Sequence, residues 1–66
     1  MQLYEFTKPE LDKFRELCNF TDEELDYFNL RSRKASNIEI SLALNMSTSK
    51  VSLLARAVKS KMKRVL

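Results

Sequence analysis

The sequence predicts a small all-α domain of four helices, and three observations predict it. Four hydroxyl residues stand where helix N-caps belong, each ahead of apolar residues recurring at helical spacing. The chain contains no glycine and one proline, so the strongest short hairpin signals, such as Asn-Gly, are absent. Its 66 residues suffice for one domain with a small core. Nothing covalent supplements that core: Cys18 is the single cysteine and histidine is absent, so neither a disulfide nor a four-ligand zinc site can form. Stability then has to come from helix-on-helix packing, from a partner chain, or from both.

The elements follow in order. "MQLYEF", residues 1–6, reads as a short extended arm or a loop packed on the core. In "TKPE", Thr7 takes the N-cap, Pro9 the first turn and Glu10 the position three residues on, where a carboxylate can return a bond to the cap. The helix that follows runs from about Pro9 to Cys18, with Leu11, Phe14, Leu17 and Cys18 on one stripe. "TDEE" repeats the box with Thr21 and Glu24, and Phe20 with Leu25 suits a hydrophobic staple. The second helix runs from about Asp22 to Arg33, with Leu25, Phe28 and Tyr27 inward. "SNIE" repeats the box again with Ser36 and Glu39 and opens a short third helix, about Asn37 to Leu44. Ser47 in "STSK" caps the fourth, about Thr48 to Arg64, with Val51, Leu54, Ala55, Val58, Met62 and Val65 at helical spacing. Here the return position holds Lys50 instead of a carboxylate. A cation at the positive end of a helix dipole is easier to understand if an anion arrives there.

Charge divides the chain. Residues 1–30 carry eight acidic side chains against three basic ones, a balance of −5, and residues 31–66 carry nine basic side chains against Glu39 alone, a balance of +8. Such a distribution orients a molecule on a polyanion, although a basic helix is also an ordinary solvated one.

The third and fourth helices together read as a helix-turn-helix. Ile40 and Leu44 share a face, and Ser41 is small enough for a close crossing. Asn45 stands at the corner, where a left-handed residue is expected and asparagine is the best substitute for glycine. Met46 plugs the corner, Ser47 caps, and Val51 and Leu54 return to the core. The second helix of such a unit can lie in a major groove.

Residues 20–62 resemble the LuxR/GerE-type helix-turn-helix domains and the related C-terminal DNA-binding region of sigma factors. The resemblance is carried in order by "FTDEEL", "SNIEI", "LNMS", Val51, Val58 and the pair Lys61–Met62. There are departures. The family's usual glycine before the serine–asparagine pair is replaced by Lys34 and Ala35, so a left-handed requirement there would strain lysine. Its usual alanine on the first helix of the motif is Ser41. Family members often carry a further helix beyond the recognition helix, used for dimer contacts. These 66 residues hold no counterpart, and an extra N-terminal helix precedes the motif instead. The expected organisation is one helix-turn-helix domain over 1–66, with an arm and extra helix at 1–19 and the core at 20–64.

The resemblance implies a recognition helix at about 48–64. Ser47, Thr48 and Ser49 are short donors suited to phosphate at its N-terminus. Lys50 and Arg56 can reach guanine edges or phosphates, and Arg56 has the planar fork that matches O6 and N7. Ser52 and Leu53 point outward, Leu53 toward a thymine methyl or a partner. Lys59 and Lys63, with Arg64, lie farther along and suit backbone phosphate. Arg31, Arg33 and Lys34 either grip phosphate or are solvated loop charges. Ile38 and Leu42 are apolar on a face that is often polar in the family. We expect the N-terminal segment, through Tyr4 or Phe6, to cover them, the alternative being a dimer or partner surface.

An enzyme is not expected: histidine is absent, a glycine-rich phosphate loop is impossible, and the acids cluster at caps. Cys18 reads as a buried, inert thiol. No cofactor or metal is expected, and no signal peptide or membrane span is visible. The expectation is an intracellular, cytoplasmic and nucleoid-associated regulator of bacterial or phage type. It would bind specific double-stranded DNA and act as a homodimer, since one such module makes a small interface. The contrasting expectation is a sigma-like or anti-sigma-like module that binds RNA polymerase or another regulator through its acidic half.

Overall fold

A computed structural model describes residues 3–66, and the described chain is helical throughout, with no strand among these residues. A 3-10 turn at Leu3–Glu5 leads into α1 (Lys8–Leu17), α2 (Asp22–Ser32), α3 (Asn37–Leu44) and α4 (Thr48–Val65). All four α-helices begin one residue after their predicted cap.

The caps form as the sequence dictates. Thr7 Oγ1 accepts from Glu10 N at 3.4 Å while Glu10 Oε1 accepts from Thr7 N at 2.8 Å. Thr21 with Glu24 and Ser36 with Glu39 make the same reciprocal pair. Ser47 Oγ accepts from Lys50 N at 3.1 Å with nothing returned. Each cap satisfies an otherwise orphaned N–H of the first turn.

Helix ends without glycine are solved by Asn19, Lys34 and Asn45, which all hold positive φ. Asn45, at φ 53° and ψ 51°, closes α3: Met46 N donates to Ser41 O at 3.0 Å and Asn45 N to Leu42 O at 3.4 Å. Lys34, at φ 69°, closes α2 by the same pattern, with Ala35 N donating to Leu30 O at 3.2 Å and Lys34 N to Arg31 O at 3.0 Å. Both are Schellman closures. Asparagine tolerates the left-handed region, whereas lysine bears its Cβ penalty of about 1–2 kcal/mol.

One core joins all the helices. Phe28, Ile40, Val51, Val58 and Met62 are wholly buried, from α2, α3 and α4. Phe14 and Cys18 bring α1 to it, and Leu3 brings the N-terminal turn. Four phenylalanines run through one side: Phe6 meets Phe14 edge-on at 5.1 Å, Phe14 meets Phe28 at 6.5 Å, and Phe20 meets Phe28 at 5.0 Å. The radius of gyration, 11.0 Å, is what a well-packed chain of this length should have.

Three expectations fail at the edge of this core. Leu17, on the predicted apolar stripe of α1, is 51% exposed, and Val65 of α4 is 37% exposed. Both sit where the two helices end and no further layer covers them. The larger correction concerns Ile38 and Leu42, which are 66% and 77% exposed. Residues 3–6 do not cover them, because Leu3 inserts beside α2 and commits the residues after it; residues 1 and 2 of the expected arm lie outside the described residues. Phe6 is spent on Phe14, and the Tyr4 ring lies 5.3 Å from Lys34 Nζ.

Candidate nucleic-acid interface

The interface is built on α4 by its own periodicity. Val51, Leu54, Val58 and Met62 face the core, so the opposite stripe, half a turn away, must face solvent. That stripe is Ser49, Ser52, Leu53, Arg56, Ser60 and Lys63, all exposed. Ser60 was missed from the sequence although its spacing from Ser49 and Arg56 places it there. Not one acidic residue occurs from Thr48 to Leu66.

The structure places the nine predicted residues as follows. Ser47, Thr48, Ser49, Lys50, Ser52, Leu53, Arg56, Lys59 and Lys63 are all exposed. They do not form one uniform row. Lys50 lies on the flank toward α2, its Nζ 3.7 Å from Glu23 Oε1. Lys59 lies on the other flank, beside Arg31 and Asn37. Leu53 is 61% exposed and lies outside the core cluster. Arg56 stands on the central stripe and pairs with no carboxylate among the described residues. Arg56 sits about 12 Å along the axis from Thr48, comparable to the width of a major groove, and Lys63 lies about 10 Å beyond it. The exposed residues thus fall into a front group near the start of α4 and a rear group about two turns on.

Besides its core residues, α4 is tied to α2 by a contact that spacing did not reveal. Lys61 Nζ donates to Glu24 Oε1 and, at 3.3 Å, to Asn19 O. Glu24 is only 8% exposed, and it also serves the Thr21 cap. Burial pushes its carboxyl up, but bonds from Lys61 and Thr21 outweigh that and hold the pKa below the ordinary value. One carboxylate therefore serves both the start of α2 and a charged tie to α4. Nearby, Arg15 Nε donates to Asn29 Oδ1 at 2.8 Å and its guanidinium lies 5.2 Å from the Phe28 ring centre, tying α1 to α2.

Cys18 is buried, and burial pushes its thiol pKa up, with Lys61 pulling weakly the other way. A thiol in that state has little thiolate and little nucleophilicity. Among the described residues, no helix is long and apolar enough to cross a membrane. No protein-family model, curated protein or solved structure matches this chain.

Proposed function

We propose that this protein is a sequence-specific double-stranded DNA-binding regulator of LuxR/GerE-like type, with the N-terminal half of α4 as its recognition helix. The observation that carries this reading is the acid-free exposed stripe of α4, held by the left-handed Asn45 at the corner of a bihelical unit. Arg56 is assigned the guanine edge, Ser49 and Ser52 short polar contacts, and Leu53 a thymine methyl. Ser47 and Thr48 at the helix start, with Lys50, Lys59 and Lys63 on the flanks and rear, are assigned phosphates. Lys50 must leave Glu23 to do so, which costs little because exposed ion pairs are weak. A cytoplasmic, nucleoid-associated location follows from this reading, and no catalytic role is proposed.

Selection from a random duplex pool tests it. We expect an enriched site, with Arg56→Ala weakening binding to that site by about 1–3 kcal/mol and relaxing preference at one position. An unenriched pool would reject the reading. A homodimer on a two-fold site is part of the proposal, because one such module buries little surface. Light scattering at micromolar concentration with the selected duplex should give two chains per site, and a single chain per site would remove the dimer.

A second reading is favoured by a different observation, the exposure of Ile38 and Leu42 on α3. On that reading the chain is a sigma-like or anti-sigma-like module docking on RNA polymerase or another regulator. Binding to duplex that survives Ile38→Ser with Leu42→Ser separates the two readings, since those residues lie off the α4 stripe.

A further inference from the structure

A cleft of about 120 Å³ opens between the N-terminal turn, the end of α2, the start of α3 and the middle of α4. Its floor is apolar, from Leu3, Ala55 and Val58. Its polar wall is Tyr27, Arg31, Asn37 and Lys59, two cations and two neutral groups, with no carboxylate. Neither cation pairs with an acid: the ion pairs of the described residues are Arg15–Asp12, Lys50–Glu23 and Lys61–Glu24.

Three further features make this more than a pair of solvated charges. Arg31 is preset, because its Nη1 donates to Ala35 O at 2.7 Å, which fixes the guanidinium and leaves other N–H groups unused. Tyr27 is 4% exposed and lines the cleft; its hydroxyl is bonded to no other described side chain and is not a buried atom, so it stays open to what enters the cleft. Asn37 is the first residue of α3, so its backbone N–H has no partner within the helix and lies at the positive end of the dipole. The capping box of Ser36 and Glu39 uses neighbouring N–H groups and leaves this one free.

We propose that this cleft is an oxyanion site that receives one phosphoryl group, gripped by Arg31 and Lys59 and hydrogen-bonded by the Tyr27 hydroxyl and Asn37. The volume fits that occupant. It is somewhat below the roughly 150 Å³ of a cavity that encloses a benzene ring, room for a tetrahedral anion while the rest of the ligand stays in the mouth. The fork of Arg31 supplies paired donors to phosphate oxygens, and Lys59 supplies a mobile point charge. The site shares Lys59 with the proposed duplex contacts, but its lining comes from four elements and includes none of the exposed central stripe of α4. The same chemistry could arrive as a backbone phosphate of a duplex or as a free phosphorylated small molecule.

The test is a titration of the folded chain with inorganic phosphate, followed by ¹H–¹⁵N chemical shifts, with chloride holding ionic strength constant. Saturable shifts are expected at the Arg31 Nε–H and the Asn37 and Lys59 amides. Lys59→Gln should weaken phosphate binding about tenfold, Tyr27→Phe several-fold, and Lys8→Gln should leave it unchanged. Lys59 and Tyr27 are chosen because Arg31→Gln would also break the bond to Ala35; circular dichroism verifies that each variant stays helical. A second titration with a short duplex assigns the source. Movement of the cleft signals by duplex, with competition by phosphate, identifies a backbone phosphate. Movement by phosphate and a phosphomonoester but not by duplex identifies a small ligand. Shifts that never saturate, or that saturate equally in the Lys59 and Tyr27 variants, would overturn the site.

Discussion

Lys34 is the residue where sequence and backbone disagree most. It holds φ 69° in a chain that has no glycine to spare for such positions. The Schellman closure of α2 requires the left-handed turn, and the Tyr4 ring near Lys34 Nζ offsets part of its cost. Lys34→Gly should therefore raise stability by about 0.5–1 kcal/mol, the relief of the Cβ clash less the lost ring contact and the added freedom of the unfolded chain. Urea unfolding measures it; a loss of stability would mean that the side chain holds the loop more than its backbone strains it. The left-handed need at Asn45 was legible from the corner where one helix must stop and the next begin, and the one here only through the resemblance, whose usual glycine falls at Lys34 and Ala35. Asn19 was not foreseen, since a helix ending at a cysteine gives no comparable signal.

At the scale of the elements, what was readable is what is local. A threonine or serine with glutamate three residues on determines a helix start by itself, and all three such starts formed. The bond from Lys61 to Glu24 spans 37 residues and has no periodic signature. It adds a largely covered charged contact to the apolar packing of α4 against α2. Lys61→Ala should cost about 1–2 kcal/mol at neutral pH, because a largely covered carboxylate loses its charged partner.

The pH dependence has a definite sign. Burial pushes Glu24 up and its bonds more than compensate, so its folded pKa is lowered, as are those of Glu10 and Glu39 through their bonds from Thr7 and Ser36. A lowered folded pKa means that stability is fully present above the ordinary glutamate value of about 4.3 and is lost as pH falls through the folded values below it. The difference in urea stability between the wild type and Lys61→Ala should thus shrink between pH 6 and pH 3. An undiminished difference at pH 3 would assign the effect to packing of the lysine stem instead. The exposure of Ile38 and Leu42 belongs to this scale too. Periodicity says which residues share a face of α3, but only the path of the N-terminal turn, fixed by where Leu3 docks, decides whether that face is covered.

The whole molecule is an electrical dipole written in sequence order. The acidic half forms the 3-10 turn, α1 and most of α2, and the basic half holds the rest, with two bridges across the join at Glu23–Lys50 and Glu24–Lys61. These bridges occupy the α2-facing flank of α4; among the described residues they leave Arg56 and Lys63 unpaired on the far side, Arg64 unpaired beside Lys61 and Lys59 unpaired beside the cleft. The central claim is that this unpaired side of α4 binds duplex DNA by phosphate contacts together with base reading. Its most direct test is the affinity of the wild-type chain for duplex across a salt series. Binding should fall log-linearly with salt, with a slope near −0.9 for each phosphate contacted, and Lys63→Ala should reduce that slope by about one contact. No duplex binding even at low salt, or a slope that Lys63→Ala leaves unchanged, would contradict the account.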